Sequence, residues 1–104
     1  MSALYFENIR IGEFMYPIRN LLDLTDRYVI LLEIPSTVDF PDNIFCYSKK
    51  GEKLWQIEKK EMPHKFSTYY SLAYTSGSLL VYSNSIERIV DLNTGKIIKT
   101  DFIK

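Results

Sequence analysis

Residues 43–51 read Asn-Ile-Phe-Cys-Tyr-Ser-Lys-Lys-Gly, and residues 87–95 read Glu-Arg-Ile-Val-Asp-Leu-Asn-Thr-Gly. In each stretch a short, largely apolar run that contains β-branched residues is followed by polar residues and then by a glycine. This order is typical of a strand that enters a hairpin turn, because glycine adopts the positive φ that closes such a turn. Both stretches therefore predict antiparallel β-hairpins.

Outward from these two hairpins, short apolar runs and alternating patterns predict further strands. A third turn is expected at residues 75–78. A hairpin about Gly12, formed by residues 4–11 and 13–18, and a short helical turn at residues 20–26 are the expectations for the N-terminal part. The predicted strands are residues 28–34, 43–47, 53–58, 69–75, 78–83, 87–92 and 96–102.

Length and composition favour one all-β domain. The chain has 104 residues, with eight Tyr, six Phe and one Trp, and these side chains suit a pleated surface. We expect antiparallel meanders in two blade-like sheets, arranged as an incomplete propeller or as a small sandwich. Within the single domain 1–104, residues 1–27 form an N-terminal hairpin or extension, residues 28–58 a first unit and residues 69–102 a second unit.

Residues 80–82 read Leu-Val-Tyr, and residues 89–98 read Ile-Val-Asp-Leu-Asn-Thr-Gly-Lys-Ile-Ile. Together with residues 44–55, these stretches of the sequence resemble the repeat of quinoprotein-type β-propellers. The resemblance covers residues 28–57 and 78–102 and implies two blade-like units. Two units do not close a ring. The resemblance does not imply a quinone cofactor, and we expect no cofactor.

Sheets whose central strands are apolar on both faces need a covering layer on each side. In two blade-like units one face of each sheet would be uncovered, unless residues 1–27 or another subunit lies against it. Self-association or a stable protein partner is therefore expected, although a two-sheet sandwich would remove that need.

Charge argues against nucleic acid and membranes as partners. The formal net charge is zero, from 13 basic and 13 acidic residues. Residues 46–66 contain six Lys beside Tyr47, Trp55 and Phe66, a combination that can hold single-stranded nucleic acid but that also suits a polar hairpin edge. No apolar run reaches the length of about 20 residues that spans a membrane, and we expect a cytoplasmic protein.

The two residues with the most versatile side-chain chemistry are Cys46 and His64. They could form a thiolate pair with an acid such as Asp39 or Asp42. However, Cys46 lies within an apolar strand, where a thiol is a small core side chain, and His64 lies in a connecting loop. A metal site needs about three ligands, and the sequence has one His and one Cys. We therefore predict no catalytic or metal site and a protein that is not an enzyme.

The predicted contact residues are aromatic and acidic. Tyr69, Tyr70 and Tyr74 lie on one strand, with either Tyr69 outward or Tyr70 and Tyr74 outward, and Trp55 is a further candidate. Glu33, Asp39 and Asp42 flank or lie in the loop 35–42, which the second unit lacks. Packing in the core would equally explain the aromatic side chains, and solubility would explain the acidic ones.

These features predict a non-catalytic protein–protein binding module, in its most specific form a small bacterial inhibitor or toxin-immunity protein. Two alternatives remain open. One is a ligand-binding or enzymatic subunit whose pocket, lined by Tyr and His64, forms between chains. The other is a structural component of a larger assembly.

Overall fold

The computed structural model describes residues 2–6, 9–62 and 64–103, and these residues form ten β-strands and no helix. The described residues therefore include no helix that could cross a membrane. The predicted all-β class is confirmed. The strands are β1 (Ser2–Phe6), β2 (Ile9–Phe14), β3 (Ile18–Asp23), β4 (Arg27–Leu32), β5 (Ile44–Ser48), β6 (Lys53–Gln56), β7 (Ser71–Thr75), β8 (Ser78–Ser83), β9 (Ile86–Val90) and β10 (Ile97–Phe102).

Eight of these strands form two antiparallel four-stranded meanders. The first sheet has the order β3-β4-β5-β6 and the second the order β10-β9-β8-β7, while β1 and β2 pair as a separate hairpin. The two stretches with which the sequence analysis began supply β5 and β9, which are the third strand of each sheet in chain order. Gly51 and Gly95 follow these strands with φ of 91° and 77°, the conformation that the predicted hairpins require.

One hydrophobic core lies between the two sheets. Val29 and Leu31 of β4 face Leu79 and Val81 of β8 within a single cluster, and all four are 0% exposed. Alternate residues of β8 and β9 are buried, as expected for strands with one face in the core. Each buried apolar side chain contributes about 1.5–3 kcal/mol through burial, so this core is the main source of stability.

A second apolar cluster covers the opposite face of the first sheet. Phe14, at the end of β2, is buried against Tyr28, Ile30 and Leu32 of β4. Its ring meets that of Tyr47 edge-on, with centroids 5.5 Å apart. The N-terminal segment therefore supplies one of the covering layers that the two-faced apolar strand required.

Asn43 connects the two sheets by hydrogen bonds inside the core. Its side chain is 0% exposed, and its amide donates to the carbonyl oxygens of Leu32 at 2.8 Å and Tyr69 at 2.9 Å. Its Oδ1 accepts from the Tyr69 N–H at 3.0 Å. Three bonds satisfy a buried amide that would otherwise be costly to desolvate, and they fix the start of β7 against β4.

Two local expectations for the N-terminal part are wrong. Residues 18–23 form strand β3, whose side chains alternate between half-buried and exposed, so no helical turn begins at residue 20. The first sheet consequently begins at Ile18 rather than at residue 28. The predicted hairpin about Gly12 is also wrong, because Gly12 lies within β2 opposite Leu4. It is next to an irregularity in the register, which is a common place for a glycine in a strand.

Candidate functional site

Two of the predicted contact residues are core residues. Trp55 is 6% exposed, and its indole N–H donates to the carbonyl oxygen of Leu92 at 2.8 Å. Tyr69 is 2% exposed, and its hydroxyl accepts a 2.7 Å hydrogen bond from Arg88. Burial raises the pKa of Tyr69, whereas the Arg88 bond acts in the opposite direction. Neither side chain is available to a partner, which corrects the sequence-based assignment of both.

Tyr70 and Tyr74 are the outward pair on this segment. They are 45% and 42% exposed, so the structure selects the second of the two orientations that the sequence left open. Tyr70 directly precedes β7, which is one of the two edge strands of the second sheet. The backbone of Tyr70 is held from both sides. Its N–H donates to the carbonyl oxygen of Tyr82, and its carbonyl oxygen accepts from the Arg19 side chain, each at 2.9 Å.

Phe66 adds a third exposed ring that the sequence analysis did not single out. It is 40% exposed and has a φ of 62°, a left-handed conformation that is uncommon for an aromatic residue. Phe66 and Tyr70 line the same cleft, which has a volume of about 380 Å³. The other residues that line it are Ile34, Ser36, Ser67, Thr68 and Asn84.

Tyr74 lines a separate cleft of about 320 Å³ together with Asp23, Leu24, Thr25, Asp26 and Leu92. At about 3.3 Å per residue, Tyr70 and Tyr74 are roughly 13 Å apart along the chain. We name the surface formed by Phe66, Tyr70 and Tyr74 the aromatic edge.

The three predicted acidic residues take part in three different local arrangements. Glu33 forms an ion pair with Arg19 at 3.0 Å, beside Tyr70. Asp42 is half-buried, and both its backbone and its side-chain oxygens accept from the Gln56 amide. Asp39 is exposed and lines a different cleft. The three residues therefore have three different sets of neighbours.

Cys46 and His64 are not brought together. Cys46 is 0% exposed in the core between the sheets, as predicted, and burial raises the pKa of its thiol to about 11. His64 is exposed and lines a cleft of about 330 Å³ in which Cys46 takes no part. The cleft also contains Asp39, Pro41, Lys59, Lys60, Glu61, Met62, Lys65 and Ser67.

Within residues 2–6, 9–62 and 64–103, no group of three or more His, Cys, Asp and Glu side chains is placed to hold a metal ion.

Comparison with known proteins gives one family assignment. No curated protein and no solved structure matches the chain at a significant level. A family model described as Domain of unknown function (DUF7957) matches residues 3–102, so the chain belongs to this family.

Proposed function

We propose that this protein is a non-catalytic protein-binding module and that it contacts its partner through the aromatic edge. The observation that carries the proposal is the exposure of Phe66, Tyr70 and Tyr74, each at 40–45%, where they line two clefts. In its most specific form the protein is a small bacterial inhibitor, such as a toxin-immunity protein, that acts in the cytoplasm.

Aromatic side chains at these positions suit a binding surface for energetic reasons. Tyr side chains bury a large area with few rotatable bonds, so little conformational entropy is lost when a partner covers them. More than half of the surface of each of these residues is already covered by the protein, and the backbone of Tyr70 is held on both sides. Such a surface is organised before binding, which reduces the cost of association.

The charges around the aromatic edge indicate the chemistry of the partner. Glu33, Asp23 and Asp26 have 57–66% exposed side chains beside the two clefts, and each is paired with a cation of the same chain. A partner with Arg or Lys next to apolar side chains could exchange these pairs and also stack on the Tyr rings. We therefore propose a partner whose contact surface combines basic and apolar residues.

The proposal does not depend on Glu33, Asp39 and Asp42 acting together. Each of the three has different local contacts, so neutralising all three would change three sets of contacts. Rim charges chiefly affect association rates, whereas buried aromatic residues dominate affinity. The aromatic edge is thus the feature to test.

The test is affinity capture from the protein's own cells after nuclease treatment, with mass spectrometry to quantify the bound proteins. We expect one partner at a fixed stoichiometry with the wild type and its loss with the double variant Tyr70→Ser/Tyr74→Ser. Leu54→Ser is the matched control, because Leu54 is also 45% exposed but lies on β6.

A partner retained equally by the double variant would contradict the proposed surface. Capture of self-copies alone would contradict the proposal of a different protein as partner.

A further inference from the structure

A buried arginine that has no carboxylate partner among the described residues lies beside a cleft that the proposed function does not use. Arg88, in the middle of β9, is 4% exposed. Its guanidinium donates to the Tyr69 hydroxyl and the Glu61 carbonyl oxygen, both at 2.7 Å, to the Thr100 hydroxyl at 3.1 Å and to the Met62 sulfur at 3.1 Å. All four acceptors are uncharged.

This arrangement is unusual because a buried charge is normally paired with an opposite charge. An Arg side chain has five N–H donors, and its four hydrogen bonds to described residues use all of them but one, which is on Nη2. Among the residues that the structure describes, no carboxylate lies within ion-pair distance of Arg88. The folded chain therefore presents a preorganised cation with a donor to spare.

The cleft next to Arg88 has a volume of about 250 Å³ and mainly apolar walls. Its lining residues are Met62, Ile86 and Phe102, together with Glu61 and Arg88. Within this lining Ile86 is 1% exposed, whereas Phe102 is 80% exposed. None of these residues lines the clefts of the aromatic edge.

We infer that this cleft, the Arg88 cleft, is a binding site for a carboxylate carried on a small apolar or aromatic body. The carboxylate would supply the missing counter-charge and accept from the free N–H of Arg88, and the body would lie against Met62, Ile86 and Phe102. Charge-assisted hydrogen bonds of this kind are shorter and stronger than neutral ones. The ligand is either a small-molecule acid or the terminal carboxylate of a polypeptide.

The test is a titration followed by ¹H–¹⁵N NMR of the full chain, with two probes and their uncharged twins. Benzoate represents a small acid, and acetyl-Gly-Phe with a free carboxylate represents a chain terminus; benzamide and acetyl-Gly-Phe-amide are the twins. We expect saturable shifts at Ile86, Arg88 and Phe102 with at least one acid, and binding of its amide weaker by about ten- to a hundred-fold. The tighter of the two acids identifies the source.

Four variants separate the contribution of the Arg88 charge from that of the cleft walls. Arg88→Met should abolish acid-specific binding, whereas Lys96→Met, which removes an exposed cation elsewhere, should leave it unchanged. Phe102→Ala alters an exposed ring and so leaves the core intact, and it should weaken binding about five-fold. Glu61→Gln should strengthen binding, because it removes a negative charge from the lining of the cleft.

The inference is overturned if neither acid binds more tightly than its amide, or if folded Arg88→Met still prefers the acid. If Arg88→Met does not fold, Phe102→Ala decides: unchanged binding of the acid by this variant places the ligand outside the Arg88 cleft. The readouts do not involve a protein partner, so they are independent of the aromatic edge.

Discussion

Gly95→Ala is expected to destabilise the domain far more than the same change at Gly77, although both glycines have nearly the same backbone conformation. Gly95 has a φ of 77° and Gly77 a φ of 79°. A Cβ added at Gly95 would lie 2.6 Å from Cε3 and 2.7 Å from Cδ2 of the Trp55 ring, whereas a Cβ at Gly77 meets no atom within 4 Å. The pair therefore separates steric conflict from backbone strain.

The magnitude follows from these two contributions. Positive φ costs an L-residue about 1–2 kcal/mol, and this cost applies at both positions. At Gly95 the close contact adds about 1–3 kcal/mol, a typical cost of overfilling a packed core. The backbone has little freedom to retreat, because the Gly95 N–H donates to the Asp91 carbonyl oxygen at 2.8 Å and its carbonyl oxygen accepts from the Glu58 N–H at 2.9 Å.

The assay is urea unfolding followed by the fluorescence of Trp55, the single Trp of the chain. The free energy of unfolding should fall by about 1–2 kcal/mol for Gly77→Ala and by about 2–5 kcal/mol for Gly95→Ala. A folded-state emission shift is expected in Gly95→Ala alone, since only that variant displaces the indole. Equal destabilisation by the two variants would refute the close contact between Gly95 and Trp55.

Three further predictions concern the core. Asn43→Leu should lower the free energy of unfolding, measured in urea, by about 2–5 kcal/mol, because it leaves the buried N–H and carbonyl oxygen of Tyr69 without their partner. A loss below about 1 kcal/mol would contradict the role of Asn43 between the sheets. Cys46 should resist iodoacetamide at pH 8 in the folded protein, because burial raises the pKa of its thiol to about 11, and it should react once urea unfolds the chain. Rapid labelling without urea, detected by mass spectrometry, would show that the thiol is accessible. Ser67→Ala should leave the midpoint of thermal unfolding unchanged or raise it, because the buried Ser67 hydroxyl has no hydrogen-bond partner among the described residues. A lower midpoint in calorimetry would mean that this hydroxyl forms a hydrogen bond in solution.

Much of the fold could be predicted because its determinants are local. The hairpins at residues 48–51, 75–78 and 93–95 combine turn residues with glycines, and each joins two strands in the structure. Strand β3 was missed because Leu21 and Leu22 interrupt the alternation of apolar and polar residues. The conformation of β3 is fixed by its pairing with β4, and the pattern of residues within β3 alone does not reveal this pairing.

The candidate site was harder to predict because exposure is decided by distant residues. Sequence alone did not distinguish an outward Tyr69 from an outward Tyr70. The choice is made by Asn43 and Arg88, which lie 26 and 19 residues from Tyr69 and hold it inside. Arg88 itself is an ordinary charged residue in the strand pattern, and its burial depends on acceptors from three other segments.

The central claim, that the aromatic edge contacts a protein partner, is tested most directly by photo-crosslinking in the protein's own cells. Tyr70→benzoylphenylalanine and Tyr74→benzoylphenylalanine keep an aromatic side chain at each position, and Leu54→benzoylphenylalanine is the control of equal exposure on β6. The account predicts one defined crosslinked protein from positions 70 and 74 and none from position 54. Crosslinking that is absent at positions 70 and 74, or no stronger there than at position 54, would contradict it.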